Sequence, residues 1–198
     1  MEGPPPSPPP TALSKLQLAP AADVKNVASL RRLNSLLLPI NYRENFYRDI
    51  LTNPIDAALS RVAFWDGGIS AIGGIRGRWD PPDLPAGGCS SENASSPPLL
   101  DRPSERGGKI YLMTICVLSP FRRLGVATAL LADVVETARK WGVEEVYAHV
   151  WVENHAALEW YEKRGFTIDE EVVERYYRRL QPNGARVVRL RIGSAAVA

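Results

Sequence analysis

Apolar residues recur along this 198-residue chain in two rhythms, every third or fourth position in some stretches and every second position in others. The alternating run at 13–18 predicts a first strand, and Pro20 with Asp23 then announces a helix. Val24, Val27, Leu30, Leu33, Leu36 and Leu37 follow at helical spacing and predict an inward stripe, with Lys25, Arg31 and Arg32 outside. Pro39 ends that helix, because it lacks an N–H and forces Leu38 toward an extended conformation. A second amphipathic helix is expected at 43–51, stopping before Asn53 and Pro54. Residues 59–65 and 69–75 read as strands, and Asp66-Gly67-Gly68 between them supplies the positive φ angles of a hairpin turn.

Periodicity resumes at Lys109. It predicts a strand at 110–118, a long helix at 123–141, a strand at 143–152 and a helix at 154–164 that Gly165 closes. A last strand pair is expected at 166–173 and 186–192, joined through 176–184. The order is one strand, two helices, three strands, helix, strand, helix and two strands. That is an α/β fold, a mixed sheet covered by helices.

Composition trims this picture at three places. Most of the 17 prolines crowd into residues 1–12 and 79–108. Too few large apolar side chains lie there to offset the entropy of ordering, so a disordered proline-rich tail and a disordered insertion are expected around a domain at 13–192, with a flexible end at 193–198. A net charge of +2 and a pI near 8.6 argue for neither nucleic acid nor membrane as a partner. Cys89 and Cys116 are too few for a disulfide framework or a zinc site, which fits a reducing, cytoplasmic setting without a metal. No run approaches the ~20 apolar residues that span a bilayer.

Candidate chemistry is densest at Ser119-Pro120-Phe121-Arg122-Arg123-Leu124-Gly125-Val126-Ala127-Thr128, between a predicted strand and a predicted helix. A turn there leaves backbone N–H groups unpaired at the positive end of the helix dipole, where an anion is favoured. Gly125 and Ala127 are small enough for a pyrophosphate to approach the main chain, and Arg122 and Arg123 can add charge-assisted bonds.

Arg122-x-x-Gly125-x-Ala127 resembles the pyrophosphate-binding signature (Q/R-x-x-G-x-G/A) of the GCN5-related N-acetyltransferase, or GNAT, superfamily. Within it, the chain resembles the NatE catalytic-subunit group, which acetylates the α-amino group of nascent protein N-termini. Four stretches carry that likeness: Leu38-Pro39-Ile40-Asn41-Tyr42, Tyr111-Leu112-Met113-Thr114, His149-Val150 with Asn154 and Trp160-Tyr161, and Tyr176-Tyr177-Arg178-Arg179-Leu180. The resemblance implies a mostly antiparallel sheet of about seven strands with helices on both faces. It implies acetyl-CoA as cosubstrate, held by Ile115, Cys116, Val117, Arg122, Arg123, Leu124, Gly125, Val126, Ala127, Thr128, Asn154, Ala156 and Tyr161. A peptide site lined by Leu38, Pro39, Ile40, Tyr42, Met113, Tyr176, Tyr177, Arg178 and Leu180 is implied as well, with Tyr111 and His149 catalytic. Two positions depart from the pattern: Leu38 stands where NatE relatives have phenylalanine, and Ala127 where they have glycine.

The chemistry of the residues agrees. Acyl transfer to nitrogen needs a neutral amine, and near neutral pH roughly a tenth of α-amines are neutral against well under a thousandth of lysine side chains. A mild base suffices, and histidine near its ordinary pKa provides one. If the strands bearing Tyr111 and His149 pair in parallel, the two share a cleft, and Tyr111 can hold a water or protonate the departing thiolate. A histidine in a strand is otherwise an ordinary hydrogen-bonded core residue, Asn154 an ordinary helix cap and Tyr161 an ordinary core aromatic. His155 reads as an exposed first-turn residue.

The expected activity is direct acetyl transfer in a ternary complex to a retained initiator methionine followed by an apolar residue, with lysine as a secondary acceptor. The expected partners are a nascent chain, the NatA complex and the ribosome. Two rivals remain at this stage: an acetyltransferase for small-molecule amines, which calls for an acidic pocket, and a non-catalytic subunit that binds coenzyme A within a co-translational complex.

Overall fold

The computed structural model describes residues 13–82 and 107–193. The proline-rich tail, the body of the expected insertion with Cys89, and residues 194–198 lie outside the described residues. The elements run β1 (Leu16–Pro20), α1 (Val24–Leu37), α2 (Glu44–Thr52), α3 (Pro54–Ala58), β2 (Ser60–Trp65), β3 (Gly73–Asp80), β4 (Lys109–Val117), α4 (Val126–Lys140), β5 (Glu145–Trp151), α5 (His155–Glu162), β6 (Thr167–Val173) and β7 (Ala185–Arg191). The strands form a sheet in the order β1-β2-β3-β4-β5-β7-β6. Pairing is antiparallel at β1–β2, β2–β3, β5–β7 and β6–β7, and parallel at β4–β5. This is the mixed, mostly antiparallel α/β architecture expected.

The chain divides into two compact units, one drawn from Met1–Gly77 with Thr114–Val134 and the other from Arg78–Met113 with Val135–Ala198. In the first, Asp23 caps α1 by accepting the Asn26 N–H at 2.9 Å, and Val27, Leu30, Leu33 and Asn34 turn inward. Val24 and Leu36 do not join them, being 74% and 64% exposed. Each lies about 120° around the helix from Leu30, off the buried stripe. The helix ends at Leu37 with Leu38 extended, as Pro39 dictates.

Two further features of this unit differ from expectation. Asn53 and Pro54, read only as a stop, also start α3: Asn53 accepts the Ile55 N–H at 2.9 Å and proline occupies the first turn. The turn at Asp66 and Gly67 has positive φ at both residues, but β3 begins at Gly73 rather than 69, leaving Ile69 83% exposed. Two glycines open the strand. A Cβ on Gly73 would stand 3.0 Å from the Cys116 carbonyl and 3.3 Å from Val126, and one on Gly74 would stand 2.6 Å from Leu30. The strand therefore approaches both the end of β4 and the start of α4 closely, and the Leu118 N–H donates to the Ile72 carbonyl at 2.8 Å.

In the second unit, β5 alternates strictly: Val146, Ala148 and Val150 are buried, while Tyr147, His149 and Trp151 share the opposite, half-buried face. β4 does the same there, with Ile110 and Leu112 inward and Tyr111 and Met113 outward. Trp79 and Asp80, expected within the disordered insertion, are instead the last residues of β3, and the Trp79 indole N–H donates to the Gly107 carbonyl at 3.1 Å. Among the described residues, no helix is long and apolar enough to cross a membrane, and no group of three or more His, Cys, Asp or Glu side chains is placed to hold a metal ion.

Candidate active site

The loop between β4 and α4 is built from main chain. A single 3-10 turn, Ser119–Phe121, leaves β4, with the Phe121 N–H bonded to the Leu118 carbonyl at 2.9 Å. Arg123 (φ 62°) and Gly125 (φ 85°) then take left-handed conformations, and the α-type ladder of α4 opens with the Ala129 N–H on the Gly125 carbonyl at 2.9 Å. The amides of Val126 and Ala127 precede that ladder, at the positive end of a 15-residue helix. Two left-handed residues one apart, just ahead of a helix start, turn main-chain amides outward in a way that suits an anion. These features fit a diphosphate. Arg122 and Arg123 are exposed beside it, and the Arg122 Nε also donates to the Val117 carbonyl at 3.1 Å, bracing the strand end.

The neighbouring strand residues contribute differently from one another. Ile115 is half-buried and Val117 is buried. Cys116 is buried too, its Sγ–H directed at the Asn34 Oδ1 at 3.6 Å, and burial pushes the thiol pKa up to about 12. Cys116 and Val117 are therefore available to a ligand through main chain only. Leu124 is half-buried, and Thr128 exposed.

The loop joining α1 to α2 belongs to the same unit. Ile40 and Tyr42 line a cavity of about 320 Å³ with Arg31, Ser35, Asn41 and Tyr47. Tyr42 stacks on Phe46 with ring centroids 4.1 Å apart. Leu38 is half-buried at the end of α1 and Pro39 exposed, so of the four predicted residues two line the cavity.

The second unit holds a cluster of side chains. β4 and β5 pair in parallel with Tyr111 opposite Tyr147, which sets Tyr111 and His149 edge to face at 5.4 Å. His149 stacks on Tyr176, with centroids 4.2 Å apart and planes 8° from parallel. The Tyr111 and Tyr176 hydroxyls are hydrogen-bonded to each other. The Tyr177 hydroxyl donates to the His149 carbonyl at 3.1 Å, anchoring the loop after β6 to the strand that carries the histidine. His149 Nδ1 is buried without a hydrogen-bond partner among the described residues. Burial lowers the imidazole pKa below its ordinary value, and the Arg189 cation lowers it further against a smaller opposing effect of Asp169. The ring is therefore neutral at neutral pH, with one of its two nitrogens carrying an available lone pair.

Around this cluster, Met113 is half-buried on β4, Leu180 half-buried with its N–H on the Tyr177 carbonyl at 3.3 Å, and Arg178 exposed. Asn154 caps α5 by accepting the Ala157 N–H at 3.2 Å, Ala156 is exposed in the first turn, and Tyr161 is buried between Trp160 and Phe166. Burial raises the Tyr161 phenol pKa. His155 is exposed.

Sequence reading missed three groups here. Tyr147 stacks on Tyr111 at 5.0 Å and donates to Asp80 at 2.6 Å. Arg189 pairs with Glu145 at 2.8 Å and with Asp169 at 2.9 Å. The signal for Tyr147 was present: it lies two residues before His149 on a strand, hence on the same face.

Comparison with known proteins gives the family. The model of the acetyltransferase (GNAT) family matches residues 27–166, and the chain belongs to that family. Its curated relatives place it among the N-alpha-acetyltransferase enzymes. N-alpha-acetyltransferase 50 of Danio rerio is 30% identical over 164 residues, covering 82% of this chain and 81% of that protein. A probable N-acetyltransferase, san, of Drosophila melanogaster is 29% identical over 166 residues, covering 82% and 74%. Among solved structures, Arabidopsis thaliana Naa50 in complex with the bisubstrate analogue CoA-Ac-MVNAL shares the fold, with a TM-score of 0.68, 24% identity, and coverage of 89% of this chain and 98% of that one.

Proposed function

We propose that this enzyme transfers the acetyl group of acetyl-CoA directly to the α-amino group of protein N-termini, preferring a retained initiator methionine followed by an apolar residue. Acetyl-CoA supplies the activated acyl carbon. The amides around Gly125, Val126 and Ala127, with Arg122 and Arg123, hold its diphosphate. Ile40 and Tyr42 contribute to the pocket for the first side chain, and Tyr176 and Tyr177 to the loop that clamps the peptide. His149 takes the proton that the amine releases as its N–C bond forms, directly or through one water. Tyr111 protonates the sulfur as the C–S bond breaks, so the products are an N-acetyl peptide and the free thiol.

The observation that supports this most is the state of His149: neutral, fixed by stacking on Tyr176, and with Nδ1 uncommitted. A buried polar atom left without a partner costs about 1–3 kcal/mol, a cost commonly retained at functional sites. Among the described residues, an acyl-enzyme on Cys116 is disfavoured, because that thiol is buried and protonated, hence a poor nucleophile. A polyamine substrate is disfavoured by the cavity at Ile40 and Tyr42, whose lining has an arginine and no carboxylate. Work on nascent chains in the cytoplasm, with a scaffold such as the NatA complex and the ribosome, completes the reading. The exposed Arg175, Arg178 and Arg179 are the charges it assigns to that contact.

The test is a panel of peptides with varied first and second residues, assayed with acetyl-CoA. The expected result is the highest kcat/KM for Met followed by Leu or another apolar residue. Equal rates on all peptides, or faster turnover of a free polyamine, would contradict the proposal.

A further inference from the structure

Asp80 closes β3 and joins the cluster of the second unit through Arg78 and Tyr147. Its two oxygens are divided. One accepts from the Arg78 Nε at 2.9 Å and the other from the Tyr147 hydroxyl at 2.6 Å. Both partners lie on Tyr111: the Tyr147 ring stacks on it at 5.0 Å, 25° from parallel, and the Arg78 guanidinium sits 5.4 Å from its centroid. Arg78 and Asp80 are two residues apart on one strand and so share a face, while Trp79 between them reaches the Gly107 carbonyl.

We infer that Asp80 is a positioning residue for Tyr111, fixing through one carboxylate both groups that pack on that ring and so aiming its hydroxyl. This rests on the catalytic role proposed for Tyr111 above. Asp80 also distinguishes the two phenols of the stacked pair. The Tyr147 proton is committed to the carboxylate, and burial together with that bond raises its pKa. The Tyr111 hydroxyl meets another hydroxyl instead, which can give or accept. Without the carboxylate, Tyr147 loses its acceptor and the Arg78 charge beside Tyr111 loses its counter-ion. Arg189, whose guanidinium lies 5.8 Å from the Tyr147 centroid, stays neutralised by Glu145 and Asp169, so Arg78 is the cation whose balance changes.

A double-mutant cycle on peptide acetylation tests this. Asp80→Ala, Asp80→Asn and Tyr147→Phe are each measured with Tyr111 intact and with Tyr111→Phe, reading kcat and the KM for acetyl-CoA separately. Asp80→Ala should lower kcat about tenfold with the KM for acetyl-CoA unchanged, and Asp80→Asn should recover part of the loss. With Tyr111→Phe, the same Asp80 substitution should change kcat by less than about twofold, since a residue acting through another has nothing further to lose. Equal losses in both backgrounds, or wild-type kcat in Asp80→Ala, would overturn the inference. Should Asp80→Ala fail to fold, Tyr147→Phe, which removes one oxygen, carries the cycle alone with the same two outcomes. A wild-type enzyme that acetylates no peptide would instead remove the functional reading on which this one stands.

Discussion

In the loop from Leu118 to Thr128 the surface offered to a ligand is largely main chain, shaped by two positive-φ residues and the first turn of α4. In the cluster around His149 it is side chain throughout, drawn from β3, β4, β5 and the loop after β6. Amides at a helix start are supplied by almost any sequence that can make the turn, so the loop depends on one glycine and a small neighbour. The cluster depends on the identity of each ring and on who hydrogen-bonds whom. Substitution should therefore affect binding gradually in the loop and turnover steeply in the cluster.

The steepest effect is expected at His149. His149→Ala should lower kcat by roughly 10²- to 10³-fold, the usual weight of a general base, while calorimetric affinity for acetyl-CoA stays at the wild-type value. An equal loss of affinity would erase the contrast between the regions. Next comes Gly125→Val, which places a branched side chain at φ 85° and should cost about 1–2 kcal/mol, seen as about tenfold weaker acetyl-CoA binding. Arg122→Ala should weaken that binding by a smaller factor, about three- to tenfold, with kcat at saturation unchanged and with less salt dependence than wild type. Asn154→Ala, which removes only the cap of α5, should lower stability by about 1 kcal/mol in a denaturant melt.

The smallest effect concerns pH and belongs to the cluster alone. The folded chain holds the His149 pKa below its ordinary 6.5, so folded and unfolded states come to differ in bound protons as pH falls toward and below that value. There the unfolded chain takes up a proton that the folded one resists. Stability should therefore decline as pH falls from 6.5 through the folded pKa, and His149→Gln should flatten that part of the curve. A curve unchanged by the substitution would show that the imidazole is not perturbed.

The same difference between regions governs how much was legible in advance. Gly125, Ala127 and the arginines lie within six residues, and a strand before them and a helix after them are periodic enough to read, so the place of the loop was legible. The helix, expected from 123, starts only at Val126, because Arg123 and Gly125 take positive φ. Tyr111 and His149 emerged through family resemblance and a parallel pairing that β4 and β5 do make. Asp80 did not, because Asp80-Pro81-Pro82 reads as the start of a loop, and only the register of β3 shows that it ends a strand facing Tyr147. Tertiary close approach was likewise invisible. That position 73 needs glycine follows from what a Cβ would strike on Cys116 and Val126, partners more than 40 residues away.

The central claim is most directly tested by offering the enzyme acetyl-CoA and one peptide that carries both a free Met-Leu N-terminus and an internal lysine, then locating the new acetyl group by fragmentation mass spectrometry. The acetyl group should be found on the α-nitrogen first and on the lysine only after long incubation. Acetylation of the lysine alone, or of neither nitrogen, would contradict the account.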